Sequence, residues 1–572
     1  MSPITVVSVS IGPVQEFIAA ARRTRDFAFG SFLLAQLART ATKIIHPHAK
    51  PIVFPAAPEA DAANKILYIH DSSIAVPVLM DEVDRALRAL VETEIRRIVA
   101  DKRLPDESIL RAVAHVRDVV EFYWASATHD TYPEAYRDAE AGLAARKSFR
   151  DFAAFPMGSS LPKSSITGTY ESIIPEELHS PSQADRLFRD FRARSSERLS
   201  GVDILKRLGD MGFAADFPSI AVMAARSALI RSGLYNAETN TLDATFDDAW
   251  RAIDAEIHFH STGESIEGRT YTRSPYKECL FASRLGDEIV DDHLVKQIAL
   301  SHASFTRTFN LKLDKPYYAI LQADGDRMGA LIQECLHVVA DERAHVAFST
   351  ALSQFSAAVQ TVVARYVGVM VYSGGDDVLA LLPVQTAIPC AAAIQHAFVA
   401  AIQPVVQTYG LGTAPSVSVG VVVAHHMDPM SDVLQLVRQT ESSAKKERSS
   451  LAVAVSKRSG GVVAITGTWG SGIVARLTTL INDFASGVLP HGYAYELRAL
   501  VDTLYRENTD DATTAVILAL ESERILKRKS TASGSAAPVA HLSGLRASIP
   551  IHNERDRTTE WVNELIVARE IA

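Results

Sequence analysis

Cysteine is nearly absent: the 572 residues hold three, Cys279, Cys335 and Cys390, far apart and never in a C-x-x-C pair. That usage argues against a zinc ribbon and a disulfide framework and suits a reducing compartment. A basic excess is missing too. The formal charge is −9, so any attraction for RNA or DNA has to come from local patches or from partner subunits. The chain opens Met-Ser-Pro-Ile-Thr-Val-Val, without a basic stretch leading into an apolar core, and no signal peptide is expected. The most apolar long stretch, residues 388–406, is interrupted by Gln395, His396 and Gln403, and reads as a buried helix rather than a membrane span. A cytoplasmic protein with no membrane partner is the expectation. What is present is ample core material: 47% hydrophobic against 22% charged residues, enough at this length for about three or four domains.

Four blocks follow one another. Residues 4–10 are a β-branched run, and residues 14–43 carry a helical pattern. Apolar runs at 66–70 and 74–80 flank Asp71-Ser72-Ser73, and a helix is expected over 81–99. Strand, helix, strand–turn–strand, helix is how a ferredoxin-like domain begins. Residues 156–310 read mainly as helix and loop. The opening pattern then returns. Strands are expected at 317–323, 366–372, 378–382, 416–424 and, last, 451–456, with helices starting over 328–339 and covering 387–409 and 432–448. Beyond about residue 465 the pattern is helical, broken by a low-complexity stretch from Ser530 to Pro538 that reads as a flexible loop. The expected fold class is α+β: ferredoxin-like domains at 1–155 and 311–465, each followed by a mainly helical one at 156–310 and 466–572.

The two β-rich blocks read as copies of one unit. Laying Ser10-Ile11-Gly12-Pro13 over Asp324-Gly325-Asp326-Arg327 aligns two strand ends that each open a helix. The first copy then has Ser10 for Asp324, and Asp71-Ser72-Ser73 for Gly374-Gly375-Asp376-Asp377. It keeps the scaffold pattern and lacks the carboxylates.

Those carboxylates carry the chemistry. Gly374-Gly375 lies between two apolar strands, and glycine supplies the positive φ that a tight hairpin turn needs. The turn delivers Asp376 and Asp377 to the end of a sheet. Adjacent strand residues face opposite ways. Both acids therefore serve one metal centre only if Asp376 still belongs to the turn; otherwise the two have different roles. Asp324 ends a neighbouring strand. Three carboxylates converging there repel each other unless a cation is present, and hard oxygen ligands suit Mg²⁺ or Mn²⁺ holding a triphosphate. Two such ions, about 4 Å apart, stabilise the attacking and leaving oxygens of an in-line phosphoryl displacement.

A solvated hairpin tip is the plain alternative, since Asp and Gly are common there; the strand-end Asp324 favours the catalytic reading. Asp324, Asp376 and Asp377 are thus the expected catalytic and metal-ligating residues, with Ser373, Gly374, Gly375 and Gly325 beside the nucleotide. Asp326 is either a further group at that site or the cap of the helix that follows, with the cap favoured. Lys445 either reaches a triphosphate as a point charge or is a solvated helix end that suits the dipole.

Other polar groups read more plainly. His425 and His426 are neighbours on a strand and do not share an ion. His129-Asp130 lacks companion ligands and reads as non-catalytic. Arg22, Arg23 and Arg25 either touch RNA or a triphosphate or form a solvated helix face. Arg524, Lys527, Arg528 and Lys529 read as charged surface, with nucleic-acid phosphate contact as the alternative.

These motifs together resemble the large Palm-domain subunit of type III CRISPR effector complexes, of the Cmr type. The resemblance runs through Ile11-Gly12-Pro13-Val14-Gln15-Glu16-Phe17-Ile18, Ala21-Arg22-Arg23-Thr24-Arg25-Asp26, Leu161-Pro162-Lys163-Ser164-Ser165-Ile166-Thr167-Gly168, Asp324-Gly325-Asp326-Arg327-Met328-Gly329 and Gly374-Gly375-Asp376-Asp377. It continues through Ala424-His425-His426, Ala444-Lys445 and Lys457-Arg458-Ser459-Gly460. It implies two cyclase- and polymerase-like Palm domains, the first degenerate. It implies antiviral, RNA-guided work alongside other Cmr-type subunits, guide RNA and target RNA. It further implies that the second Palm turns ATP into oligoadenylate messengers, usually cyclic, with Asp324, Asp376 and Asp377 as metal ligands. Because the chain opens at the first Palm, no HD-type DNase is expected, and without central cysteines no zinc is expected. Two other readings stand beside this one: a scaffold subunit with an idle Palm, and a stand-alone nucleotide cyclase.

Overall fold

Strand β1, Ile4–Gly12, is the axis of the first sheet. The computed structural model describes every residue except 1–2, 57–63, 150–159, 213–216, 252–279, 282–291, 459, 507–509, 530–536 and 552. With β2 (Ala49–Phe54), β3 (Lys65–His70) and β4 (Glu121–His129), β1 forms a four-stranded sheet of order β2-β3-β1-β4, with antiparallel pairing throughout. Helices Thr24–Ile45 and Val76–Val99 follow β1 and β3, which makes the unit ferredoxin-like.

Its hairpin is not where the sequence pattern puts it. Residues 74–80 start a helix rather than a strand: Val76, Leu79, Met80, Val83 and Leu87 recur at helical spacing and are all buried. The hairpin is β2–β3, and most of its tip lies outside the described residues. Asp71-Ser72-Ser73 follows β3 at the end of the sheet opposite Ser10, because β3 runs antiparallel to β1 with Ser10 facing Lys65. It is therefore not the counterpart of the Gly-Gly-Asp-Asp turn.

The connecting block is gripped by the first domain. Arg25 donates to the carbonyls of Lys206, Arg207 and Gly209, at the end of helix Gly201–Leu208. Arg23 donates to Arg192 O and Arg22 to Ser165 O. All three brace the block, Arg23 and Arg25 half-buried and Arg22 with its side chain still exposed to solvent. Ser164 donates to the buried Asp203 (2.7 Å), tying the Leu161 to Gly168 segment to the same helix. A small hairpin, β5 (Tyr235–Asn236) and β6 (Thr241–Leu242), lies further along.

The second sheet has six strands: β7 (Tyr317–Gly325), β8 (Val369–Gly374), β9 (Asp377–Leu382), β10 (Val417–His425), β11 (Ser450–Ser456) and β12 (Val462–Thr468). Their order is β12-β11-β10-β7-β9-β8. The four strands β8-β9-β7-β10 repeat the first sheet's order, and helix Met430–Glu447 crosses over from β10 to its parallel neighbour β11. Two boundaries differ from expectation. Residues 366–368 end the helix Arg343–Arg365 rather than open a strand, and β12 adds an edge strand after the one expected to be last.

Helices Arg343–Arg365 and Val384–Tyr409 are long and apolar enough to cross a membrane. Each lays a stripe on this sheet, Phe348, Phe355 and Val359 from one and Ile388, Ile394 and Phe398 from the other, within one core.

The two sheets meet. Val6, Leu67, Tyr132 and Tyr136 of the first half pack with Leu336 of the second, and the Tyr132 hydroxyl lies 2.9 Å from His345 Nδ1. The C-terminal helices pack on β12, where Glu554–Ile571 supplies Glu564 to a buried pair with Arg476 (2.8 Å). Of the basic cluster, Arg524, Lys527 and Arg528 pair with Glu521, Glu523 and Glu496. Residues 530–536 of the expected flexible loop lie outside the described residues.

Candidate active site

Strands β8 and β9 are joined by a two-residue turn. Gly374 pairs with Asp377 across it, and Gly375, at φ +68°, takes the conformation that only glycine adopts without strain. Asp376 is the second turn residue, so it is free of the strand's alternation. Both acids therefore reach the same end of the sheet. Ala323 on β7 faces Val378, so one step further Asp324 faces Asp377. Asp324 and Asp376 are within hydrogen-bonding reach of one another. Gly325 makes room for this, since a Cβ there would stand 2.9 Å from Asp376 Oδ2.

The electrostatics follow from the crowding. Burial, then the charges of Asp377 and Asp324, raises the Asp376 carboxyl well above the usual range. Burial and Asp324 push Asp377 up to about 7, with Lys445 pulling it back. Lys445 is turned into the site, its ammonium in direct contact with Asp324 Oδ2. Burial would lower its pKa, but the bond to Asp324 and the nearby Glu441 and Asp377 raise it. Of the two readings for Lys445, the solvated helix end is the one the geometry does not support.

Among the described residues, no three carboxylate, imidazole or thiol groups already stand in the arrangement of a metal site. The donor chemistry nevertheless fits a hard divalent cation. Three oxygen donors crowd one sheet end, two of them hold protons more tightly than carboxylates do in water, and a lysine is the counter-charge on the third.

Two expected site residues have other tasks. Asp326 is buried, and both of its oxygens are engaged: Ser418 Oγ donates to one (2.7 Å), Ser416 Oγ (2.7 Å) and Ser449 N (2.8 Å) to the other. It ties β7 to β10 and to the end of the crossover helix. It does not cap helix Met328–Val338, whose N-cap, Arg327, makes no side-chain cap bond. Ser373 is also buried, and its hydroxyl lies 2.7 Å from that of Ser356 on the helix behind the hairpin.

A cavity of about 280 Å³ opens between the two halves. Ser10, Tyr123 and Lys147 line it from the first half, and Tyr372, Asp377 and Arg438 from the second. Its size approaches the ~300 Å³ lower range of small-molecule pockets. Sequence reasoning missed the first-half wall because β4, which carries Tyr123, was not among the expected strands. It missed Glu441 as well, although a carboxylate four residues before Lys445 on a helix is a legible signal.

Register makes the duplication concrete. Ser10 and Lys65 stand where Asp324 and Asp377 stand in the second sheet. Lys147, near the end of the helix that follows β4, reaches Ser10 Oγ (3.3 Å), as Lys445, near the end of the helix that follows β10, reaches Asp324.

Comparison with known proteins agrees with this arrangement. Residues 317–452 match the model of the Cas10/Cmr2 second palm domain, and residues 6–121 that of the N-terminal part of the CRISPR-associated protein Cmr2. The CRISPR system Cmr subunit Cmr2 of Pyrococcus furiosus is 28% identical over 234 residues, which cover 36% of this chain and only 24% of that relative's length. Two cryo-EM structures of type III-B Cmr-beta share the fold at 13% identity. The apo state gives a TM-score of 0.60, covering 93% of this chain and 78% of that one; the state bound to cognate target RNA gives 0.61, covering 97% and 80%. The two matched models fall on the two sheets in chain order, so both sheets of the chain are similar to the Cas10/Cmr2 family.

Proposed function

We propose that this chain is the large subunit of a type III-B (Cmr) CRISPR effector complex, acting in the cytoplasm with other Cmr subunits, guide RNA and target RNA. Its second Palm joins ATP into oligoadenylates, cyclic or linear, releasing pyrophosphate when guide and target RNA pair. The observation that carries this reading is the convergence of Asp324, Asp376, Asp377 and Lys445 at one sheet end, on the half that matches the second palm model.

Asp324, Asp376 and Asp377 would hold Mg²⁺ or Mn²⁺, which supplies charge stabilisation for an in-line displacement and lowers the pKa of the attacking 3′-hydroxyl. Lys445 contributes a fixed positive charge for the polyphosphate. Gly375 presents no side chain, so phosphate oxygens would approach the backbone of the turn closely there, whereas the missing side chain of Gly374 makes room for the Tyr372 hydroxyl. The cavity beside Asp377 reaches Lys147 and Tyr123 and offers an acceptor nucleotide room between the halves.

Mass spectrometry of the products tests the proposal. Purified complex with target RNA, Mg²⁺ and ATP is expected to yield adenylates whose masses rise by one AMP at a time. ATP left intact, or AMP found only on some other acceptor, would overturn it.

A further inference from the structure

Glu441 sits one helical turn before Lys445 on Met430–Glu447 and is 8% exposed. The neighbouring strand explains its depth. A Cβ on Gly420 of β10 would stand 2.5 Å from Glu441 N, so the helix lies directly against the sheet there. Glu441 Oε1 has no hydrogen-bond partner among the described residues, and the Lys445 ammonium is 3.7 Å from it. A buried carboxylate oxygen in that state is costly unless a partner arrives at some stage of the working cycle.

The same lysine is in contact with Asp324 Oδ2. A divalent cation and Lys445 therefore compete for one carboxylate. When Asp324 turns to a cation, the displaced ammonium needs another anion within a small swing of its side chain, and Glu441 Oε1 is placed for it.

We propose that Glu441 is a positioning residue: it receives Lys445 when a divalent cation takes over Asp324, and so keeps the lysine beside the polyphosphate site. The inference rests on the metal reading of Asp324 and deepens it. In this exchange Lys445 acts as the resting counter-ion of the site, and Glu441 lowers the cost of removing it from Asp324.

The test is Mn²⁺ binding to the purified full chain without nucleotide or RNA, followed by the electron paramagnetic resonance of free Mn²⁺. Lys445→Met, with the competitor gone, is expected to bind Mn²⁺ several-fold more tightly than the natural chain. The near-isosteric Glu441→Gln is expected to bind several-fold more weakly. In the Lys445→Met background the Glu441→Gln effect should fall below about twofold, since no lysine remains to be received; Glu441→Asp should restore part of the natural affinity. An equal Glu441→Gln effect in both backgrounds would show that Glu441 acts through its charge alone and would overturn the proposal, as would no effect in either. Mn²⁺ binding by none of these proteins would overturn it together with the metal reading. Lost coupling with adenylate products intact refutes only the exchange, whereas intact coupling without products refutes only the nucleotidyl-transfer reading.

Discussion

Ser10 and Asp324 end equivalent strands of two sheets with the same core order, and the difference lies in how the charges around them are balanced. In the first sheet, Lys65 and Ser8 both bond Glu140 (2.6 Å each), and Lys147 reaches the neutral Ser10 and is balanced by the nearby Glu121. That set closes on itself. In the second, Asp324, Asp376 and Asp377 face one another with Lys445 and leave Glu441 Oε1 without a hydrogen-bond partner among the described residues, the Lys445 ammonium 3.7 Å away. One backbone thus supports a self-neutralised sheet end and one that calls for an outside cation. The duplication conserves geometry, and chemistry enters through a handful of side chains.

The largest effect is expected from converting the active end into the quiet one. Asp324→Ser with Asp377→Lys should lower adenylate yield at least about 10³-fold, or ~4 kcal/mol of barrier. Adding Ser10→Asp and Lys65→Asp to that variant should restore nothing, because the first half offers no Gly-Gly-Asp-Asp turn among its described residues. Restored yield, measured from labelled ATP, would break the comparison.

A smaller effect is expected at the turn. Gly375→Ala forces a side chain into φ +68°, at a cost of about 1–2 kcal/mol, and displaces Asp376. A rate loss of roughly tenfold, with the melting temperature lowered by about 2–4 °C, is the expected result.

Charge crowding gives a pH-dependent contrast. Asp377 is pushed up to about 7 in the folded chain, above its unfolded value. The folded form therefore holds that proton more tightly. The stability it brings is full at low pH, falls as pH rises through the folded value, and leaves the largest penalty above pH 7. Metal-free Asp377→Asn should melt higher than the natural chain by roughly 2–4 °C at pH 8 and show no gain at pH 4. Lys65→Met, which strips Glu140 of its counter-charge and leaves it only the Ser8 hydroxyl, should lower the melting temperature instead.

The joint between the sheets is expected to respond least at neutral pH. Burial, with a contribution from Lys65, lowers His345 to about 3. Its neutral form is the folded one, so its stability contribution is complete above the unfolded value near 6.5 and is lost as pH falls towards 3. Tyr132→Phe should cost about 1 kcal/mol at pH 7.5 through the lost hydrogen bond, read by chemical denaturation. His345→Gln should flatten the acid slope of the melting curve.

Much of this was legible in the sequence, for local reasons. A Gly-Gly-Asp-Asp turn between apolar strands reports its own geometry, whereas the pattern of helix Met430–Glu447 left Lys445 open between the site and a solvated end. The first hairpin was misplaced because residues 74–80 form a short apolar run that periodicity alone leaves ambiguous between strand and helix. The roles of Asp326 and Ser373 were hidden because their partners, Ser416, Ser418, Ser449 and Ser356, are brought to them only by the folded sheet and its helices.

The most direct test of the account compares the natural complex with one carrying Asp376→Ala and Asp377→Ala, each given target RNA, Mg²⁺ and labelled ATP. Adenylate products are expected from the natural complex alone, with target RNA bound equally by both. Products formed by the double variant at the natural rate would contradict it.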